Sequence, residues 1–190
     1  MEAFLTSSLL VALAEIGDKT QLLSFVLAAR LRKPSAIVAG ILVATVANHA
    51  LAGSVGVWLS SLVNPLWLPW ITGALFVGFG LWTLHPDSLD DDPKLHQAGA
   101  FVTTVIAFFI AEMGDKTQFA TIALAARFQG ELVAVVLGTT VGMMLANVPA
   151  VIIGEKLAQR LPLKAIRIIA AGVFIVTGVL AMLGAPGSAR

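Results

Sequence analysis

The chain has 190 residues, 58% of them hydrophobic and 12% charged, with a formal net charge of +1 and no cysteine. Soluble domains sit nearer about 45–50% apolar and about 25% charged, so this chain cannot hide its apolar surface in a core of its own and its solvent is lipid. The few scattered basic residues exclude a nucleic-acid binder, and the absent thiols exclude disulfides, thiolate metal sites and cysteine nucleophiles.

Lipid requires every backbone N–H and C=O to be satisfied internally, and the apolar stretches here are helix-length rather than alternating ten-residue strands. The expectation is an all-α integral membrane protein with six transmembrane helices, at residues 4–29, 35–60, 67–84, 99–126, 132–156 and 164–184. The start, Met1-Glu2-Ala3, lacks the basic segment of a cleaved signal peptide, so the first span reads as a retained helix. That span carries Glu15-Ile16-Gly17-Asp18-Lys19-Thr20-Gln21. The second carries Asn48 and His49, and the third the small residues Gly73, Gly78 and Gly80, which suit close helix packing.

Pro34, Pro65, Pro69 and Pro162 punctuate span ends. The polar run from His85 to Gln97 includes Asp87, Asp90, Asp91, Asp92 and Lys94 and reads as a solvated loop. The fourth span carries Glu112-Met113-Gly114-Asp115-Lys116-Thr117-Gln118, the same heptapeptide 97 residues after the first, and the fifth carries Asn147. The domain reading is therefore a three-helix repeat at 1–84, an acidic inter-repeat loop at 85–97 and a second three-helix repeat at 98–190.

Ala14–Arg30 and Ala111–Arg127 agree at 11 of 17 positions, Asn48 matches Asn147, and Gly80 matches Gly178. Three spans per repeat put the second copy into the membrane upside down, the inverted arrangement that in transporters places ion sites near the midplane. The loops after spans 1, 3 and 5 hold Arg30, Arg32, Lys33, Lys94, Lys156, Arg160, Lys164 and Arg167, against Arg127 and Arg190 on the other side. Positive charge favours the cytoplasm, so both termini are expected outside. Trp58, Trp67, Trp70 and Trp82 lie near span ends, as interfacial anchors do.

Charged side chains are costly at the bilayer centre and are kept where they handle ions or protons. Glu15 lies roughly 17 Å into its span. On an unbroken helix Glu15 and Asp18 share a face, as do Glu112 and Asp115, and Gln21 and Gln118 continue it. Inversion of one repeat against the other brings the two faces together as a cage of four carboxylates. Oxygen donors suit Mn²⁺, Ca²⁺ and Mg²⁺, and neither motif offers His or Cys.

Four carboxylates with Lys19 and Lys116 sum to −2, which one divalent cation cancels. When the metal leaves, like charges in a dry site favour taking up protons, so metal and proton compete for one cage. Gly17 and Gly114 weaken their helices locally and can free carbonyls for an ion, as in discontinuous transporter helices. Thr20 and Thr117 offer hydroxyls but point away from the acidic face of a continuous helix. Lys19 and Lys116 read as charge-balancing groups in one of two ways: tethered cations that occupy the carboxylates between transport events, with Glu15 and Lys19 at the favourable spacing for a pair, or, the preferred reading, fixed structural partners that reduce the cost of burying acids.

Asn48 and Asn147 are candidates for the metal pathway, with interhelical hydrogen bonding as the plainer role. His49 could relay protons, yet Val148 fills its counterpart position, so it reads as a satisfied interior or interfacial histidine. No resident cofactor is implied. The partners are a divalent metal ion as cargo, protons and the lipid bilayer, with a homo-oligomer left open.

Two copies of Glu-x-Gly-Asp-Lys-Thr in a short, duplicated, six-span chain resemble the cation/proton exchanger family long catalogued as an uncharacterised protein family. It includes eukaryotic Golgi calcium/manganese transporters and bacterial MneA-type manganese exporters. The resemblance covers essentially the whole chain and implies that Glu15, Asp18, Glu112 and Asp115 form the cation site. It also implies export of Mn²⁺ first, or Ca²⁺ second, across a bacterial inner membrane, and no enzymatic activity.

Three rivals stand beside it. An intramembrane aspartyl protease would need two aspartates sharing one proton, which an adjacent lysine in each motif disfavours. An exporter of cationic amino acids would also use buried acids, and a passive channel would need no proton coupling. No Gly-x-x-x-x-Gly-Lys-Ser/Thr loop is present, so the driving force is an ion gradient.

Overall fold

The computed structural model describes residues 1–86, 99–153 and 162–184. These fold as α1 (Glu2–Glu15), α2 (Lys19–Leu31), α3 (Pro34–Leu62), α4 (Leu68–Thr83), α5 (Ala100–Glu112), α6 (Lys116–Arg127), α7 (Leu132–Ile153) and α8 (Leu163–Leu183), with no strand among the described residues. By length and composition α3, α7 and α8 can each cross a membrane alone, while α4 and α5 are shorter apolar helices. The acidic stretch at 87–92, Lys94, Lys156, Arg160 and Arg190 lie outside the described residues.

One expectation is corrected. Spans 4–29 and 99–126 are not continuous helices: each breaks at its heptapeptide into α1 and α2, or α5 and α6. The cause is local. Gly17 and Gly114 adopt φ of +83° and +76°, the left-handed region that L side chains rarely occupy, and so end the first helix of each pair. The acidic residues therefore do not share a helix face. Glu15 and Glu112 are the last residues of α1 and α5, whereas Asp18 and Asp115 are the N-caps of α2 and α6.

Packing crosses between the halves. α7 lies along α1 and α2, α3 lies along α5 and α6, and α3 and α7 pack on each other. The α4–α8 pair closes the bundle, with α4 also on α6 and α8 also on α1. Small residues permit these approaches. A Cβ at Gly138 would lie 2.5 Å from the Phe4 carbonyl, and one at Gly178 would lie 2.5 Å from that of Gly73. Gly178→Val should therefore lower thermal stability in detergent by about 1–3 kcal/mol through forced separation of α4 and α8. An unchanged melting curve would contradict this packing.

Polarity is inside out for water. Leu5, Leu9, Leu145, Ile152 and all four tryptophans are exposed, while Glu15, Glu112, Asn48, Asn147 and nine threonines are buried to 3% exposure or less. That is the surface of an integral membrane protein, and it leaves the polar interior as the place to look for chemistry.

Candidate metal centre

The two heptapeptides fold almost identically. After Glu15, Ile16 is extended (φ −69°, ψ 114°), Gly17 turns, and Asp18 caps α2 at φ −85°, ψ 169°. After Glu112, Met113 takes φ −67°, ψ 116°, and Asp115 takes φ −85°, ψ 166°. In each break the aspartate N–H donates to the glutamate carbonyl at 3.1 Å. The glycine N–H donates to the Oε1 of the glutamine four residues on, at 2.9 Å in Gln21 and 2.8 Å in Gln118.

The break also corrects the reading of the threonines. Because the helix is interrupted, Thr20 turns back and its hydroxyl donates to Glu15 Oε2, as Thr117 does to Glu112 Oε2 at 2.9 Å. Both hydroxyls thus orient the glutamates instead of pointing away from them. Each glutamate keeps its Oε1 without a hydrogen-bond donor among the described residues, as Asp115 keeps its Oδ2.

The lysines cross between motifs. Lys19 Nζ lies 3.1 Å from Asp115 Oδ1, and Lys116 Nζ lies 3.0 Å from Asp18 Oδ1. Lys19 thus pairs with the other repeat rather than with Glu15. Two Asp–Lys pairs cancel in charge, so when every carboxylate is ionised the −2 of the site rests on Glu15 and Glu112. One carboxylate oxygen each from Glu15, Glu112 and Asp115 lie within 4.8 Å of one another, all three residues buried. Ca²⁺ holds oxygens at about 2.3–2.6 Å, so its opposed ligands stand up to about 5 Å apart, and the trio fits round such an ion. Asp18 stands outside the trio, against Lys116.

Asn48 and Asn147 brace the motifs from opposite halves. The Asn48 side-chain oxygen accepts from Gln118 Nε2, and its amide donates to the Phe109 carbonyl at 3.4 Å. Asn147 Oδ1 accepts from Ser24 at 2.7 Å while its amide donates to the Met143 carbonyl at 3.1 Å. Gln21 Nε2 donates to the Ala146 carbonyl at 3.0 Å. Both asparagines are thereby occupied in holding neighbouring helices.

Ser24 was not singled out from the sequence. Its counterpart Thr121 is also a hydroxyl residue, and that repeat was the available signal. Thr83, His85 and Arg167 were equally unforeseen. With Gly17, Asp18 and Lys116 they line a shallow recess at the ends of α4 and α8. His49 is interior, in line with its expectation, but neither ring nitrogen has a hydrogen-bond partner among the described residues.

The sequence matches the family described as divalent cation/proton antiporter GDT1 over residues 3–91 and again over 100–189. A Vibrio cholerae protein whose name proposes manganese export is 51% identical over 165 residues, covering 87% of this chain and 82% of that protein. GDT1-like protein 5 of Arabidopsis thaliana is 29% identical with 96% of each chain covered. A GDT1-like protein of Synechocystis is 28% identical, with 95% and 96% covered. No solved structure matches the chain.

Proposed function

Because the chain belongs to the divalent cation/proton antiporter GDT1 family, we propose that it carries Mn²⁺, with Ca²⁺ second, out of the cytoplasm in exchange for protons. It is a transporter and not an enzyme. The observation that carries the reading is the buried trio of carboxylate oxygens from Glu15, Glu112 and Asp115, within 4.8 Å of one another. The resemblance of the chain to a relative named for manganese supports the order of ions.

In this reading Glu15, Glu112 and Asp115 bind the ion, and Asp18 joins them when Lys116 moves off. Thr20 and Thr117 aim the glutamates. Gln21, Gln118, Asn48 and Asn147 hold the broken turns, and Lys19 and Lys116 balance the aspartates. One divalent cation or two protons neutralise the same −2, so each displaces the other without a further catalytic group. Metal ligands must be deprotonated, and Mn²⁺ affinity is accordingly expected to fall as pH is lowered.

The architecture we assign is six spans in two inverted repeats, with the broken helices counted as one span each. α1 and α2 contribute 14 and 13 residues, or roughly 20 Å apiece, which puts the break near the midplane of a hydrocarbon core about 30 Å thick. Two successive family matches and the matched backbone angles of the two breaks support the repeat. The Lys/Arg distribution supports outside termini in a bacterial inner membrane.

The test is purified protein in liposomes with Mn²⁺ on one side and a pH step. Metal flux with opposing proton flux is expected, together with its loss in Asp18→Asn and Asp115→Asn. Full flux in both variants would remove the aspartates from the site. Flux of lysine or arginine in place of metal would favour the amino-acid exporter. Flux that no pH step drives uphill would favour a channel.

A further inference from the structure

The recess beside Asp18 lies at one end of the α4–α8 pair, and a larger cavity lies at the other. There α4 begins where α6 and α8 end, and the three helices enclose ≈ 340 Å³. Leu68 and Pro69 of α4, Arg127 and Phe128 at the end of α6, and Leu180 and Ala181 of α8 form most of its wall. Proteins hold small ligands in cavities of about 300–1,000 Å³ that are largely apolar with a few polar groups to fix the guest.

Two polar side chains interrupt that wall. Thr72 spends its hydroxyl proton on the Leu68 carbonyl at 2.8 Å. Arg127 is the charged group of the wall, and no carboxylate forms an ion pair with it among the described residues. Its guanidinium carbon lies 5.6 Å from the centroid of the Phe128 ring, within reach of a cation–π contact that leaves the N–H groups free to donate. A guanidinium offers five donors in a planar fork that matches phosphate geometry. The first turn of α4 reaches the same cavity through Leu68 and Pro69, and adds the positive end of its helix dipole.

The surroundings are those of a membrane surface. Trp67 and Trp70 flank the start of α4 and are exposed, as aromatic rings at headgroup level are. Leu180 belongs both to the cavity wall and to the exposed apolar surface of α8, so the cavity opens toward lipid. A lone cation above an apolar wall is complementary to an amphiphile with an anionic head.

We propose that this cavity binds one anionic phospholipid, with its phosphate on Arg127 and its first chain carbons along Leu180 and Ala181. A free inorganic anion leaves the apolar wall uncovered, and a zwitterionic head brings a second cation toward the guanidinium. The bound lipid joins α6 to the α4–α8 pair. α6 is capped by Asp115 and starts at Lys116, so a head group wedged at its other end, roughly 18 Å away, steadies the helix that serves the metal centre. Membrane lipid thereby becomes part of the support of that centre, whichever ion is carried.

The test adds phosphatidylglycerol, phosphatidylcholine or inorganic phosphate to the full chain in detergent. Bound lipid is counted by native mass spectrometry, and the melting temperature is followed alongside. Wild type is expected to bind phosphatidylglycerol about tenfold more tightly than phosphatidylcholine, through charge-assisted contacts, and to melt higher with the anionic lipid alone. In Arg127→Gln that preference should fall to about twofold or less while the helical circular-dichroism signal is kept. Leu180→Trp fills the apolar wall and leaves the guanidinium in place, so it should weaken phosphatidylglycerol binding about tenfold even if Arg127→Gln does not fold. Equal binding of the two lipids by wild type, or an undiminished preference in Arg127→Gln, would overturn the proposal. So would displacement of the lipid by millimolar phosphate, which would assign the cavity to a free anion. None of these readouts involves metal flux, so they stand or fall independently of the antiporter reading.

Discussion

Glu15→Gln and Glu112→Gln should each weaken Mn²⁺ binding by more than about a hundredfold, read from the paramagnetic signal of the free ion over detergent-purified protein. The expectation follows from what each glutamate contributes. Loss of a partner that merely orients a metal ligand costs about 10–100-fold in affinity, and these glutamates are proposed as ligands themselves. Glutamine keeps the volume and one oxygen, so Thr20 or Thr117 can still donate to it. What disappears is one of the two negative charges that the aspartate–lysine pairs leave uncancelled. Thr20→Val and Thr117→Val, which only release the glutamates from their orienting bonds, should fall within the smaller range. Equal binding by wild type and both glutamine variants would separate the glutamates from the cation altogether.

The chemistry of the site was legible in the sequence because it is written twice. Neither copy of Glu-x-Gly-Asp-Lys-Thr-Gln would by itself favour an ion site over a salt-bridged helix, whereas two copies with an excess of acid favour the ion site that is proposed here. The break within each copy was only half legible. A lone glycine costs a helix about 1 kcal/mol relative to alanine, too little to end it. The interruption is completed by Gln21 and Gln118 turning back to the glycine N–H groups and by Thr20 and Thr117 turning back to the glutamates. Those bonds exist only once the turn has formed, so a reading that assumes a continuous helix points the threonines away from the acids. The exchange of Lys19 and Lys116 between motifs depends on how the halves dock, which no spacing within one copy records. Of His49 the interior position was legible but its lack of hydrogen-bond partners was not, because whether a buried ring finds partners is decided by neighbouring helices.

The two lysines look equivalent in sequence but should not behave alike. Lys116 has a side chain 6% exposed and faces an Asp18 side chain 1% exposed, whereas Lys19 is 26% exposed against Asp115 at 4%. Removing one member of a buried ion pair costs about 3–5 kcal/mol because the other charge stays behind in a medium that solvates it poorly. Lys116→Met should therefore lower the melting temperature in detergent by roughly 10 °C. Lys19→Met should lower it by distinctly less, since solvent reaches that ammonium and screens the loss. Asp18→Asn combined with Lys116→Met removes both charges and should recover most of the stability of the single lysine variant. Mn²⁺ gives a further discrimination: a cation in the adjoining cage supplies positive charge near Asp18 in place of the lost ammonium, so the ion should raise the melting temperature of Lys116→Met more than that of wild type. If Lys116→Met melts with the wild type and responds to Mn²⁺ no more strongly, the ammonium is not neutralising Asp18 in the resting protein. Its role would then lie in the transport cycle, as a tethered cation that yields its place to the metal.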